Sequence, residues 1–126
     1  MANECIPLYQ PGKHLTATVA TAVTGKTFVD ISGATLNPAT GALISVATAT
    51  AAGKTLGVAA FDAAASAQVS VIGEGVVPVT AGAAITAGAE VEVGASGKAI
   101  TLASGKAVGR ALTTAANNAD VYVRLY

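Results

Sequence analysis

Residues 53–71 read GKTLGVAAFDAAASAQVSV, and residues 105–123 read GKAVGRALTTAANNADVYV. The two stretches align without a gap at a spacing of 52 residues, with two glycines, a lysine and two valines in register. Each contains a short apolar segment, an alanine-rich loop and a Val-x-Val segment with the period of two that is typical of β-strands. The repeated pattern therefore predicts strand, loop and strand in both halves of the chain.

The likeness extends upstream of these stretches. Residues 41–47 (GALISVA) resemble residues 97–103 (GKAITLA) if residues 48–51 are an insertion. The alignment favours a structural duplication over about 41–71 and 97–123, although the high alanine content of the chain contributes some of the matches. Two copies indicate a barrel or sandwich with approximate internal symmetry, because a solenoid needs at least three repeats.

The rest of the chain has the same β character. Glycines recur throughout, with valine and threonine between them, and this composition outweighs the helix propensity of alanine. We predict an all-β fold, a small barrel or sandwich. At residues 61–68 we expect a loop, in which Asp62 could cap a single helical turn. The ten short strands are predicted at 15–22, 27–32, 43–47, 55–61, 68–73, 76–80, 90–93, 98–102, 107–112 and 120–126.

Length and charge limit the possible functions. A chain of 126 residues forms one domain, or a domain with an arm. Seven basic residues balance seven acidic ones, so we expect neither nucleic acid nor an anionic membrane surface as a partner. The uncharged stretch 31–53 contains glycine, proline and many threonines, so we expect no membrane span there. The opening MANECIPLY lacks the features of a secretory signal, and the lone Cys5 excludes an internal disulfide.

Residue types that could carry chemistry are few. His14 is the only histidine and Cys5 the only cysteine. A catalytic triad or a zinc site built on them would need further partner residues, which the composition barely supplies. Glu90 and Glu92 share a strand face, where paired carboxylates can do acid–base work or bind a cation, but a solvated face is the favoured interpretation. The GKT tripeptides at 25–27 and 53–55 lack the first glycine of a phosphate-binding loop. We therefore expect no enzyme, no metal and no cofactor.

The N-terminal residues differ from the rest. Residues 2–14 contain two prolines and precede the first alternating segment, so we predict an arm at 1–14 and a single β domain at 15–126. The alternative is an edge strand folded back on its own domain. An arm needs a partner surface to cover its apolar side chains. The predicted contact residues are Cys5, Ile6, Leu8, Tyr9, Lys13 and His14.

Several segments together resemble the small capsid decoration, or cement, proteins of bacteriophages. They are YQPGKHLTATVATAVTGKTFVDISG (9–33), LGVAAFDAAASAQVSVIGEGVVPV (56–79), AGAAITAGAEVEV (81–93) and AVGRALTTAANNADVYVRLY (107–126). One departure is GRA at 109–111, where GVA is usual in the pattern; the arginine is compatible with a local contact.

The resemblance implies a structural virion protein with no catalytic residues, made in the host cytoplasm. It would bind the major capsid protein on the outer surface of an icosahedral head and cement neighbouring capsomers, as a homotrimer at three-fold and quasi-three-fold positions. One alternative is a small β module of a phage tail, spike or bacterial adhesin, although few aromatics are present to stack on sugars. The other is an enzyme that uses Glu90 and Glu92, or His14.

Overall fold

The computed structural model describes residues 3–8, 12–51 and 53–126. These residues form ten strands, and the predicted all-β fold is confirmed. The helical content is one 3₁₀ turn at Ala95–Gly97, and no helix in the described part of the chain is long and apolar enough to cross a membrane. The strands are β1 (His14–Val19), β2 (Phe28–Ile31), β3 (Ile44–Thr48), β4 (Thr55–Ala59), β5 (Gln68–Ile72), β6 (Val76–Thr80), β7 (Glu90–Val93), β8 (Ala99–Thr101), β9 (Gly109–Ala111) and β10 (Asp120–Leu125).

The first five strands close into a barrel in the order β1-β3-β2-β4-β5. The barrel closes because β1 pairs with β5 antiparallel on one side and with β3 parallel on the other. Alternate residues of β1 point inward, as the period of two predicted: Ala17 and Val19 are buried. They pack with other small and β-branched side chains from all five strands, so the barrel is filled without large aromatic residues.

The last five strands repeat this connectivity in the order β6-β10-β9-β7-β8, which is the order of the first barrel followed in the other direction. The parallel pairing that closes the first barrel is reduced here to a single bridge between Ala81 and Ala99. The duplication therefore spans two whole five-stranded units, and it is longer than the segments 41–71 and 97–123 that the alignment favoured.

Backbone hydrogen bonds outside the strands repeat as well. Val23 and Ala63 exchange N–H···O bonds of 2.9 and 3.0 Å, and Ile85 and Ala115 exchange two of 2.9 Å. Residues of β1 correspond to the residues 62 positions later in β6. For β4 and β9, and for β5 and β10, the corresponding residues are 52 positions apart. Most of the difference arises in the β2–β3 connection, which has 12 residues (32–43), against 5 residues (94–98) between β7 and β8.

The two units share one apolar cluster. Phe28 and Val58 point out of the first barrel, and they are buried in the same cluster as the core of the second unit. The Thr80 N–H donates to the Lys26 carbonyl at 2.8 Å, and Gly97 lies so close to the Phe28 carbonyl that a Cβ would come within 2.5 Å of it. This contact lies where the second sheet stays open, so the first unit covers that opening.

The loop before β5 differs from the prediction in one respect. No helical turn forms at residues 61–68, and Asp62 caps no helix. Its carboxylate accepts a 2.8 Å hydrogen bond from the Gly25 N–H instead. Ser66 adopts a left-handed conformation with φ of 70°, and its equivalent Asn118 does the same with φ of 67°.

Candidate interaction surfaces

Glu92 belongs to the framework of the fold. It is 8% exposed, and its carboxylate accepts hydrogen bonds from the N–H groups of Ala103 at 2.9 Å and Gly105 at 2.8 Å. The favoured interpretation of a solvated strand face is therefore wrong for this residue. A carboxylate that satisfies two backbone donors of the β8–β9 loop holds that loop in place.

Glu90 lies two residues earlier and faces a different set of groups. Its carboxylate accepts a 2.8 Å hydrogen bond from the Tyr126 hydroxyl, and Arg110 is its cross-strand neighbour. The hydrogen bond to Glu90 raises the pKa of Tyr126, and partial desolvation acts in the same direction, while the nearby Arg110 lowers it. The two glutamates thus have separate hydrogen-bond partners.

His14 and Cys5 are both exposed. His14 is the first residue of β1 and pairs with Ile72 in the barrel wall. Among the described residues, no group of three or more histidines, cysteines or acids is close enough together to hold a metal ion.

The described arm residues 3–8 and 12–13 lie outside the strands. Ile6 is 79% exposed and Leu8 is 54% exposed, so the structure leaves both apolar side chains open to solvent. Cys5 and Lys13 are exposed as well, whereas Tyr9 lies outside the described residues. Apolar side chains this exposed are candidates for contact with another molecule.

The two GKT tripeptides precede strands. Lys26 forms an ion pair of 2.8 Å with Asp120 across the two units, which raises the pKa of the lysine. Lys54 is exposed on a groove of about 570 Å³ between the units, and Lys106, its equivalent, lies across from it. Two single lysines on an open groove do not form the backbone amide cradle that a phosphate-binding loop requires.

A second exposed surface covers the outer side of β6, β10 and β9. We call it the arginine face and define it by Val76, Arg110, Leu112, Tyr122 and Arg124. Val76 is 51% exposed, and Leu112 and Tyr122 are each 49% exposed. Arg124 is paired in register with Val76 on one side and with Arg110 on the other. Two guanidinium groups therefore lie on neighbouring strands among exposed apolar side chains.

The base of the arm lies next to the arginine face. Lys13, Glu74, Arg124 and Tyr126 line a shallow depression of about 660 Å³, together with Val76 and neighbouring glycines. The Gly73 N–H donates to the Lys13 carbonyl at 2.9 Å, which holds Lys13 beside the end of β5. Of the predicted arm contacts, Lys13 thus adjoins the arginine face.

The prediction of contact residues did not include the arginine face. Part of its signal was present, because the alternation of β10 places Tyr122, Arg124 and Tyr126 on one face, and Arg110 is the departure within GRA. The pairing of Arg110 with Arg124 depends on the register of β9 with β10, which no local pattern reveals.

The fold and these surfaces define a small β protein of two tandem units with exposed apolar side chains at Ile6 and Leu8 near its N-terminus. The chain belongs to the phage cement protein family, whose model matches residues 9–125. It is therefore a structural protein associated with a phage head. The fold is also similar to that of the head fiber gp8.5 N base of bacteriophage phi29, with a TM-score of 0.73 and 20% identity over 90% of this chain and 92% of that one. No curated protein matches the chain.

Proposed function

We propose that the protein binds the outer surface of an icosahedral phage head and cements neighbouring capsomers, as a homotrimer at three-fold and quasi-three-fold positions. The observation that carries this proposal is the arm, in which Ile6 and Leu8 are 79% and 54% exposed. The major capsid protein is the partner that would cover these side chains. Family membership supports this choice of partner.

Trimer formation would strengthen weak attachment. Three arms on one trimer would engage three neighbouring sites at once, so that modest individual contacts give high total affinity. A cyclic trimer also buries the same surface of every subunit against its neighbour, which suits a protein with exposed apolar residues. Assembly on the head would follow synthesis in the host cytoplasm.

We also propose that the protein has no catalytic activity. Three of its carboxylates, those of Asp30, Asp62 and Glu92, accept hydrogen bonds from backbone N–H groups. His14 is exposed at the start of β1, where it pairs with Ile72 in the barrel wall. The acidic residues thus act mainly on loops of the fold.

The test is co-sedimentation of the purified protein with expanded, undecorated heads, with copy number measured in the pellet. Saturation near one copy per capsid subunit supports trimers at three-fold and quasi-three-fold positions. Saturation near one copy per hexamer keeps head binding and contradicts the trimer. Absence of binding contradicts the proposed function and favours a tail, spike or adhesin module. A variant lacking residues 2–8 is the matched arm control, and it should fold but bind heads far more weakly.

A further inference from the structure

The first unit contains a row of residues equivalent to part of the arginine face, and most of that row packs against the second unit. In the first unit, the row His14, Ile72, Val58 and Phe28 crosses four neighbouring strands in register. Phe28 and Val58 are buried against the second unit, and Ile72 packs against the same cluster. Three residues of this row, Ile72, Val58 and Phe28, therefore form the surface by which the first unit docks onto the second.

The equivalent row of the second unit is Val76, Arg124, Arg110 and Glu90. It occupies the same strands in the same order, but Val76, Arg110 and Arg124 are exposed. A third unit does not cover it in this chain. The duplication thus leaves a free docking surface whose apolar residues have been replaced by two arginines and a glutamate.

The charges of this row are unbalanced. Arg124 lies directly opposite Arg110, and like charges in that position destabilise a sheet. Arg110 donates to the Gly88 carbonyl at 2.8 Å and has Glu90 on its other side. The Arg124 guanidinium has no hydrogen-bond or ion-pair partner within the described part of the chain. A carboxylate supplied by another molecule would satisfy Arg124 and relieve the repulsion.

The composition suits a protein partner. Tyrosine and arginine are the residues that most often dominate binding energy at protein interfaces, and exposed Leu112 and Val76 add apolar area around them. The neighbouring depression adds Lys13 as a further cation, against the single acid Glu74. A partner surface with apolar side chains and more than one carboxylate would match this arrangement.

A second copy of this chain fits poorly as that partner. Most of its carboxylates already accept hydrogen bonds within their own molecule. They are the carboxylates of Asp30, Asp62, Glu90, Glu92 and Asp120. The adjoining arm, which we assign to the capsid contact, points to the same partner for the arginine face.

We infer that the arginine face docks onto an apolar surface of the capsid protein that presents carboxylates to Arg124 and Arg110. This inference rests on the proposed function and adds a second contact beside the arm. The arm and the face would bind the same capsid region, because both begin at the depression lined by Lys13 and Arg124.

The test measures the affinity of full-length protein for undecorated heads at several salt concentrations. Arg124→Glu should weaken binding by about ten- to a hundredfold, because it places like charges across a contact. Arg124→Gln should weaken it less and reduce its dependence on salt. Lys54→Glu is the matched control, since it makes the same change in net charge on the groove and should bind within about twofold of the unchanged protein. Circular dichroism and thermal unfolding establish that each variant is folded.

The outcomes separate this inference from the proposed function. If the unchanged protein binds heads and Arg124→Glu binds them as tightly as Lys54→Glu does, the arginine face is not a capsid contact. The proposed head binding then still stands. If Arg124→Glu instead alters the mass of the protein in solution, the face joins copies of this chain, which overturns the assigned partner. If the unchanged protein does not bind heads, the proposed function fails and this inference fails with it.

Discussion

Asp30 and Glu92 occupy equivalent positions in the two units and hold equivalent loops. Asp30 accepts a 3.2 Å hydrogen bond from the Thr50 N–H, and Glu92 accepts a 2.9 Å bond from the Ala103 N–H at the matching position. Gly53 and Gly105 each lie against the corresponding carboxylate, so that a Cβ at either position would crowd it. Each unit therefore uses an acidic side chain on its second strand to fix the connection between its third and fourth strands.

Replacing Glu92 should destabilise the fold. Glu92→Ala leaves two backbone N–H groups without their acceptor in a partly buried place, so we expect a loss of about 2–3 kcal/mol in the free energy of unfolding. Asp30→Ala is the matched control in the other unit. Because Asp30 is more exposed and its bonds are 3.2 and 3.4 Å, about 1 kcal/mol is expected. Urea denaturation measures both; a larger loss for Asp30→Ala would contradict the assigned role of Glu92.

Phe28 should couple the stability of the two units. Phe28→Ala removes a fully buried ring from the shared cluster, and we expect it to cost about 3–5 kcal/mol. Phe61→Ala, at a ring that is 51% exposed, should cost less than about 1 kcal/mol. If the first substitution leaves the overall stability unchanged, as measured by thermal and urea unfolding, the shared cluster does not hold the units together.

Tyr126 should ionise only above the ordinary tyrosine pKa of 10.0. The hydrogen bond to Glu90 favours the protonated phenol. The contact is therefore present while the phenol is protonated and is lost as the pH rises through the raised pKa of Tyr126. Glu90→Gln should move the pKa of Tyr126 downward. Ultraviolet titration measures it in a variant whose Tyr9 and Tyr122 are replaced by phenylalanine. An unchanged pKa after Glu90→Gln would show that the carboxylate does not control the phenol.

Arg124 should reduce the stability of the isolated protein. Arg124→Thr removes the repulsion with Arg110 and places a β-branched residue in a strand, so we expect the free energy of unfolding to rise by about 0.2–1 kcal/mol. Arg110→Thr relieves the same repulsion but also loses the bond to the Gly88 carbonyl, so its gain should be smaller. Thermal unfolding at low salt compares them. A clear loss of stability in Arg124→Thr would mean that this arginine already has a favourable contact.

Much of the fold could be predicted from local patterns. Alternation in β1 and β10 identified the buried sides of both strands, since successive side chains of a strand point to opposite faces. The aligned glycines and valines indicated a duplication, but only its second half was visible. The first strands of the two units match at a spacing of 62 residues. Neither the gap-free match at 52 residues nor an insertion at 48–51 allows for the longer β2–β3 connection of the first unit.

The candidate surfaces were less predictable. Ile6 and Leu8 stood out because they lie in a segment with prolines and without alternation, and the structure leaves both exposed. Glu92 could not be distinguished from Glu90 by spacing, because its burial depends on a loop more than ten residues away. The arginine face could not be predicted without knowing which strand lies beside β10.

The sequence by itself determined the all-β character, the positions of the ten strands and the existence of a repeat, because each follows from side-chain period and composition within short stretches. Only the tertiary structure decided that the first unit closes and the second stays open against Phe28, and that Arg124 lies opposite Arg110. These relationships join residues on separate strands. They arise from strand register and from the packing of one unit on the other, which depend on the whole chain at once.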